Sequence, residues 1–313
     1  MRICSFLPSA TEVVYALGLG GELCGVTNEC DYPEDARRKP IVVESMFEPS
    51  SMGQAEIDKT VIQGLSHGHA LYKINKDLLF RMAPDLIIAQ ELCDVCTVSL
   101  REVIKTVSEL SSQCKVISLR PGGLQSVMDD IVTIGAACGV EEKASDLVAG
   151  ILGRVASVKE RAGTLERPRV FFVEWYDPIF ASGHWVPEMV SIAGGFDGLA
   201  PAGVPSRKIA WSEVAAYDPE VLVLSPCGFG LDRAVKDVGL LTRLEGWEEV
   251  TAVRRGAVYA VDSSSYFSRP GPRLVDGVEL LAKLIHPEVF GVAVPPLAAE
   301  RVTCRVSRLA VAD

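Results

Sequence analysis

No uncharged apolar run in this sequence reaches the roughly 18 residues needed to cross a bilayer. The opening MRICSFLPSATE carries one arginine and passes straight into a strand-like run and a helix, without the apolar core or cleavage site of an export signal. These absences predict a soluble protein with no stable membrane insertion and a cytoplasmic location. Positive charge is also in deficit: 31 Lys and Arg stand against 41 Asp and Glu, a formal charge of −10. Nucleic acid or an anionic membrane would be repelled at long range, and the densest basic cluster, Arg301, Arg305 and Arg308, is too thin to reverse this. There is no G-x-S-x-G, no Walker A segment and no His-Glu-x-x-His, so no reaction is indicated and the chain does not read as an enzyme. No period of 20 to 50 residues recurs, which excludes a solenoid or propeller. Histidine is scarce, with only four residues, and the nine cysteines form an odd count that excludes a complete disulfide framework. Without export, the thiols are expected to be reduced.

What is present is a 313-residue chain with 48% hydrophobic content, enough for one large or two medium cores. Short β-rich runs near 2–6, 23–27, 85–89, 115–119, 169–174, 220–225 and 257–261 alternate with helical spacing over 11–18, 75–83, 98–112, 124–138, 187–194, 233–242 and 273–285. That alternation predicts an α/β fold with parallel sheets. Ser9 and Glu12 have the spacing of a capping box after Pro8 closes the first strand, and GLGG at 18–21 reads as the end of the first helix. APDLIIAQELC at 83–93 and DPEVLVLSPC at 218–227 resemble each other, each a proline beside an acid, then a buried strand, then a thiol. Two similar lobes are therefore expected. Between them, Leu147, Val148, Ile151, Leu152, Val155 and Val158 form one apolar stripe that Pro168 stops. This predicts one helix of roughly 20 residues, about 30 Å long. The expected division is a lobe over 1–139, a linking helix over 140–166, a second lobe over 167–290 and a tail over 291–313.

Ligands of parallel α/β sheets bind beyond the carboxyl ends of the strands. The segments at those ends are NECDYP, QELCDVC, WYDPIFASGHW, SPCGFG and DSSSYFSRPGPR, which concentrate thiols and aromatics. They predict a broad apolar surface suited to a bulky or planar small molecule. Trp175, Trp185, Tyr266 and Phe267 are candidates to cover its faces, and Glu29, Glu174 and Arg269 to meet its polar groups. Cys93 and Cys96 admit three readings: part of a zinc site completed by Cys30 or Cys227, a thiol redox pair, or a soft wall of a ligand cleft. Asp94, lying between them, opposes the redox reading because its charge raises a thiol pKa. His184, in an aromatic loop, is placed to ligate or hydrogen-bond, whereas SHGH at 66–69 reads as a mobile loop and His286 as structural.

The run RICSFLPSATEVVYALGLGGELCGVTNECDYP resembles the opening of the cobalamin-binding members of the class III periplasmic binding proteins. PDLIIAQ, FFVEWYDPIFASGHWVPEMVSIAGG, PEVLVLSPCGF and VYAVDSSSYFSRPGPRLVDGVELLAKLIHPE extend the likeness over about residues 1–290. The resemblance implies two Rossmann-like lobes with parallel sheets joined by one long backbone helix, and cobalamin or a related corrinoid held between them. It implies ligand-facing roles for Tyr32, Tyr266 and Phe267, while exported members tend to carry an aromatic where Glu29 stands. His184 or Cys93 becomes a candidate axial ligand to the metal. Exported members dock on an ABC permease through one acidic residue per lobe, and Asp77 is the nearest match, but ECDYP, LCDVC and GHWVPE are similar to a cytosolic-looking branch in which such docking is not expected. The alternatives are a thiol-based zinc- or iron-binding or redox protein, and an iron-siderophore or haem binder on the same fold.

Overall fold

The two look-alike segments occupy equivalent places in two different sheets. The computed structural model describes residues 1–67, 70–91, 98–109 and 113–303, and the chain divides into two α/β units. Unit 1 is Met1–Ser157 with Arg269–Val275, and unit 2 is Val158–Ser268 with the chain from Asp276 onward. In unit 1 the strands are β1 (Ile3–Ser5), β2 (Leu23–Thr27), β3 (Ile41–Ser45), β4 (Tyr72–Ile74), β5 (Leu86–Gln90) and β6 (Lys115–Leu119), in the order β4-β3-β2-β1-β5-β6. Its helices are α1 (Pro8–Ala16), α2 (Gln54–His67), α3 (Lys76–Met82), α4 (Leu100–Ser108) and α5 (Leu124–Cys138), followed by α6 (Glu141–Ala162), within which the boundary falls. Unit 2 carries β7 (Val170–Tyr176), β8 (Ile179–Ala181), β9 (Arg207–Lys208), β10 (Val221–Leu224), β11 (Val258–Val261) and β12 (Ala299–Arg301), in the order β12-β11-β10-β7-β8-β9. Its helices are α7 (Val186–Ile192), α8 (Trp211–Tyr217), α9 (Leu231–Lys236), α10 (Gly239–Thr242), α11 (Thr251–Arg255), α12 (Ser263–Tyr266), α13 (Leu274–Ile285, shared with unit 1 at its start) and α14 (Pro287–Phe290).

The central strands are parallel, as expected, but both sheets are mixed: β4 in unit 1 and β8 and β12 in unit 2 run antiparallel to the central strands, and β9 pairs antiparallel with β8. β5 and β10 are buried along their whole length, which is why β10 is wholly apolar and β5 is apolar up to its last residue, Gln90. The same device launches each. Ala83 and Asp218 take left-handed backbone at the ends of α3 and α8, a proline follows, and then an acid. Asp85 accepts from the Arg2 amide at 2.7 Å and Glu220 from the Arg169 amide at 3.1 Å, while their own amides donate to the Arg2 and Arg169 carbonyls. Each acid thus sets the register of its strand against the strand that opens its unit. Phe6, Val42, Leu79, Ile87 and Val103 anchor one core, and Phe171, Leu222, Leu224, Trp247 and Ala260 the other.

Several expectations need correction. Ser9 and Glu12 do not form a capping box: α1 starts at Pro8, Leu7 is its N-cap without a side-chain bond, and Ser9 and Glu12 are both buried. Pro8 opens the helix rather than closing the strand, because the missing amide proton is harmless in a first turn. The SHGH segment is not a mobile loop through His67, which ends α2 and has Nδ1 2.8 Å from the Gln63 carbonyl; His69 lies outside the described residues. The linking helix ends at Ala162, beside Gly163, and not at Pro168. The expected tail supplies β12, which pairs with β11.

Candidate functional site

At the carboxyl ends of β1 and β2, unit 1 gathers a polar cluster. Glu12, whose side chain is only 2% exposed, accepts from Arg273 Nε at 2.8 Å and a terminal nitrogen at 2.6 Å, and from Arg269 at 3.3 Å. Arg269 also donates to the Asp31 carboxylate and, at 3.0 Å, to the Glu29 carbonyl. Burial disfavours the Arg269 charge, but Asp31 and Glu12 outweigh it and raise its pKa. Burial would likewise raise Asp31, yet Arg269, helped by Arg37 and Arg273, holds it below the usual carboxylate range. The Glu29 carboxyl goes the other way, raised by burial against the pull of Arg269. Tyr32 is 48% exposed, and the Arg273 guanidinium sits 4.1 Å from its ring centroid. A cation at that distance fixes the ring and presents an aromatic face at the end of β2.

Unit 2 assembles a second cluster at the ends of β7, β10 and β11. Cys227 donates its amide to the Glu174 carbonyl at 2.9 Å, and Ser264 donates to the Phe229 carbonyl at 3.1 Å. The Glu174 carboxylate accepts from Ser206 at 2.6 Å. Trp175 and Phe229 lie 5.8 Å apart, the indole donates to the Asp177 carbonyl, and Arg233, paired with Asp237, covers Phe229 at 4.6 Å. His184 has left-handed backbone (φ 54°) and stacks on Trp185 at 5.6 Å. Burial lowers its pKa, leaving a neutral imidazole at pH 7 that can accept a hydrogen bond or ligate a metal.

The predicted residues therefore separate into groups. Glu29, Tyr32, Glu174, Trp175, His184, Cys227 and Tyr266 are partly or largely exposed at strand ends or in adjoining loops. Trp185 and Phe267 belong to the core, a correction to the expectation that their rings cover a ligand. The indole of Trp185 donates to the Phe267 carbonyl at 2.8 Å, and Phe267, 2% exposed, meets Phe172 edge-on at 5.1 Å. Arg269 donates to Glu12, Asp31 and the Glu29 carbonyl. Cys30 is buried, its sulfur 3.1 Å from the Thr11 hydroxyl and 3.3 Å from that of Thr27, and burial raises its pKa. It packs as a small core group. Cys93 and Cys96 lie outside the described residues. Asp77 is exposed in the first turn of α3, and His286 is buried with Nε2 3.2 Å from the Gly194 carbonyl. Glu12, Arg273, Ser206 and Arg233 were not among the predicted site residues. A lone carboxylate among Ala10, Val13 and Val14, and two arginines flanking Pro270, Gly271 and Pro272, were the available signals.

Beside the His184 loop, Asp197 accepts from the Leu199 amide at 3.1 Å and faces the Ser182 hydroxyl at 3.5 Å, and burial pushes its carboxyl up to about 7. The folded state then holds a proton that the unfolded chain, near the ordinary 3.8, has released. This contribution is fully present below the unfolded value and is lost as pH rises through the folded one. Unit 2 is expected to lose stability between about pH 4 and 7, and Asp197→Asn to flatten that slope relative to wild type. All four tryptophans lie in unit 2, so tryptophan fluorescence during urea unfolding at several pH values measures it. An unchanged slope in the variant would refute the assignment.

Among the described residues no helix is long and apolar enough to cross a membrane, and no group of three or more His, Cys, Asp or Glu is placed to hold a metal ion. A family model described as periplasmic binding protein matches residues 3–265. The chain is 27% identical over 295 residues to an uncharacterized ABC transporter substrate-binding lipoprotein of Bacillus subtilis, covering 92% of this chain and 81% of that protein. It is 27% identical over 288 residues to the vitamin B12-binding protein of Vibrio cholerae, covering 89% and 86%. Solved structures share the fold. The periplasmic vitamin B12 binding protein of Vibrio cholerae aligns with TM-score 0.65 at 23% identity, over 91% of this chain and 96% of that one. A periplasmic heme binding protein from Pseudomonas aeruginosa aligns with TM-score 0.69 at 20% identity, over 92% and 93%. By the span of the family match and by its two α/β units, the chain belongs to the periplasmic binding protein family, with the class III type of fold.

Proposed function

We propose that the protein is a solute-binding protein whose ligand is a corrinoid of the cobalamin type. Members of the family bind solutes rather than transform them. The observation that carries the reading is Tyr32, an exposed ring at a strand end whose orientation Arg273 secures before any ligand arrives. A ring fixed in advance loses little conformational freedom on binding, so its contact area translates more fully into affinity. Trp175 and Phe229 supply a second aromatic pair in unit 2. A corrinoid combines a broad ring, peripheral amides and a central metal. Glu29 and Glu174 match its amides, and the neutral His184 imidazole is the candidate axial ligand. The sequence likeness to the vitamin B12-binding protein of Vibrio cholerae supports the same ligand class.

Haem, flat and with an axial position open to imidazole, is the second reading, favoured by the state of His184. Titrating the purified protein with hydroxocobalamin and, separately, with haemin separates the two. Hydroxocobalamin is expected to saturate it with a Kd of about 1 μM or below, and Tyr32→Ala and Trp175→Ala each to weaken binding about tenfold. A shift of the visible bands that His184→Ala abolishes assigns the axial ligand. Absence of heat and of spectral change up to about 100 μM hydroxocobalamin, a hundred times that Kd, overturns the corrinoid reading, and saturation by haemin alone replaces it.

A further inference from the structure

We infer that Cys4 and Cys24 form a thiol–disulfide site, which a low-molecular-weight disulfide oxidises to an intrachain bridge between β1 and β2. The two sulfurs are 3.6 Å apart on adjacent parallel strands. The register shifts between Ile3, paired with Leu23, and Cys4, paired with Gly25, so that Cys24 is the extra residue between the two paired positions. Cys4 is opposite Gly25, the residue after Cys24. A Cβ at Gly25 would lie 2.9 Å from the Cys4 sulfur and 2.8 Å from Val42, so glycine leaves the room the thiol occupies. Cys4 is wholly buried and Cys24 half-buried, which makes Cys24 the point of entry.

The environment separates their roles. The hydrogen bond with Cys4, and then the Arg2 guanidinium, lower the Cys24 thiol to about 7. Cys4, which holds the shared proton and is buried, is raised. Cys30, Cys114 and Cys138 are all pushed upward by burial. When neutral, Cys24 donates to the Ile3 carbonyl at 3.3 Å; once ionised it accepts from Cys4 instead. The thiolate, not the thiol, attacks a disulfide. The Cys24 thiolate therefore attacks one sulfur of oxidised glutathione, forming a mixed disulfide and expelling one glutathione thiolate. Cys4 attacks the Cys24 sulfur and passes its proton to the second glutathione sulfur, which leaves as a thiol. Two protein thiols are oxidised by two electrons, and one glutathione disulfide is reduced to two thiols. Neither cysteine belongs to the strand-end clusters, so the inference stands apart from the choice of ligand.

The test treats the full chain with oxidised glutathione at pH 8, quenches with acid, alkylates the remaining thiols and maps peptides by mass spectrometry. The expected result is a linked pair carrying Cys4 and Cys24, lighter by two hydrogens, formed at least about tenfold faster than modification of Cys114 or Cys138. In Cys4→Ala the mixed disulfide accumulates at Cys24, and in Cys24→Ala Cys4 stays alkylatable, with far-UV circular dichroism reporting whether each variant folds. Recovery of both Cys4 and Cys24 as alkylated thiols in the wild-type chain, while other thiols react, overturns the inference. So does a wild-type mixed disulfide at Cys24 that never resolves onto Cys4.

Discussion

Replacing Glu12 by alanine is expected to destabilise unit 1 by about 3–5 kcal/mol, the range for breaking a buried ion pair from one side. Glu12 is the shared acceptor of two guanidiniums whose side chains are only 14% and 16% exposed. Arg269 retains Asp31 and the Glu29 carbonyl, but Arg273 loses the bonds that its Nε and a terminal nitrogen make to Glu12. A buried charge stripped of its acceptor must find water or move. Movement of Arg273 also releases the Tyr32 ring it covers, so hydroxocobalamin affinity is expected to fall with stability. Glu12→Gln keeps one oxygen to accept and should lose less. Urea unfolding followed by far-UV circular dichroism gives the stability change, and hydrogen exchange of the peptide spanning α1 locates it. Exchange unchanged across Pro8–Ala16 in Glu12→Ala would contradict the role given to this carboxylate.

The same residue shows where sequence reading stops. Much of the fold follows from local pattern: β10 is apolar throughout and β5 up to its last residue, Gln90, because both faces are covered, and a proline with an acid marks each entry. α6 shows itself by its stripe and its charged ends. The strands toward the sheet margins escape for the opposite reason. β3 breaks the period of two, with two consecutive buried positions between exposed ones, and β4, β8, β9 and β12 are two or three residues long, too short for a periodicity to emerge. The strand-end segments were legible as a class, since topology dictates where a parallel sheet offers its open end. Which side chain within each segment faces outward was not. Glu12 meets Arg273 across 261 positions and Trp185 meets Phe267 across 82. Contacts of that range leave no trace in local spacing. Ser9 and Glu12 satisfied a capping pattern that the fold did not use, and Trp185 and Phe267 had the composition of a binding surface but the packing of a core.

Gly183→Ala is expected to destabilise unit 2 by about 3 kcal/mol or more, at or beyond the upper end of ordinary overpacking. A Cβ at this position would lie 2.3 Å from the Ser206 amide nitrogen, 2.7 Å from the Pro205 carbonyl carbon and 2.7 Å from the Val204 oxygen. All three are backbone atoms, so no side chain can swing aside to admit the methyl group. The opposing segment cannot retreat freely either. His184 donates to the Val204 carbonyl at 2.6 Å, Gly203 donates to the His184 carbonyl at 2.8 Å, and β9 begins one residue after Ser206, paired with β8. Relief requires parting the two segments, which breaks these bonds and draws Ser206 away from Glu174. Both His184 and Glu174 then leave the positions on which the corrinoid proposal relies, and hydroxocobalamin binding should weaken together with stability. Gly239→Ala is the matched comparison in the same unit: its nearest neighbour is the far end of the Arg243 side chain at 4.0 Å, and it lies in α10. That change should stay within about 1 kcal/mol of wild type. Tryptophan fluorescence during urea unfolding reads both variants on unit 2 alone, and a Gly183→Ala protein as stable as Gly239→Ala would show that the segments part without resistance.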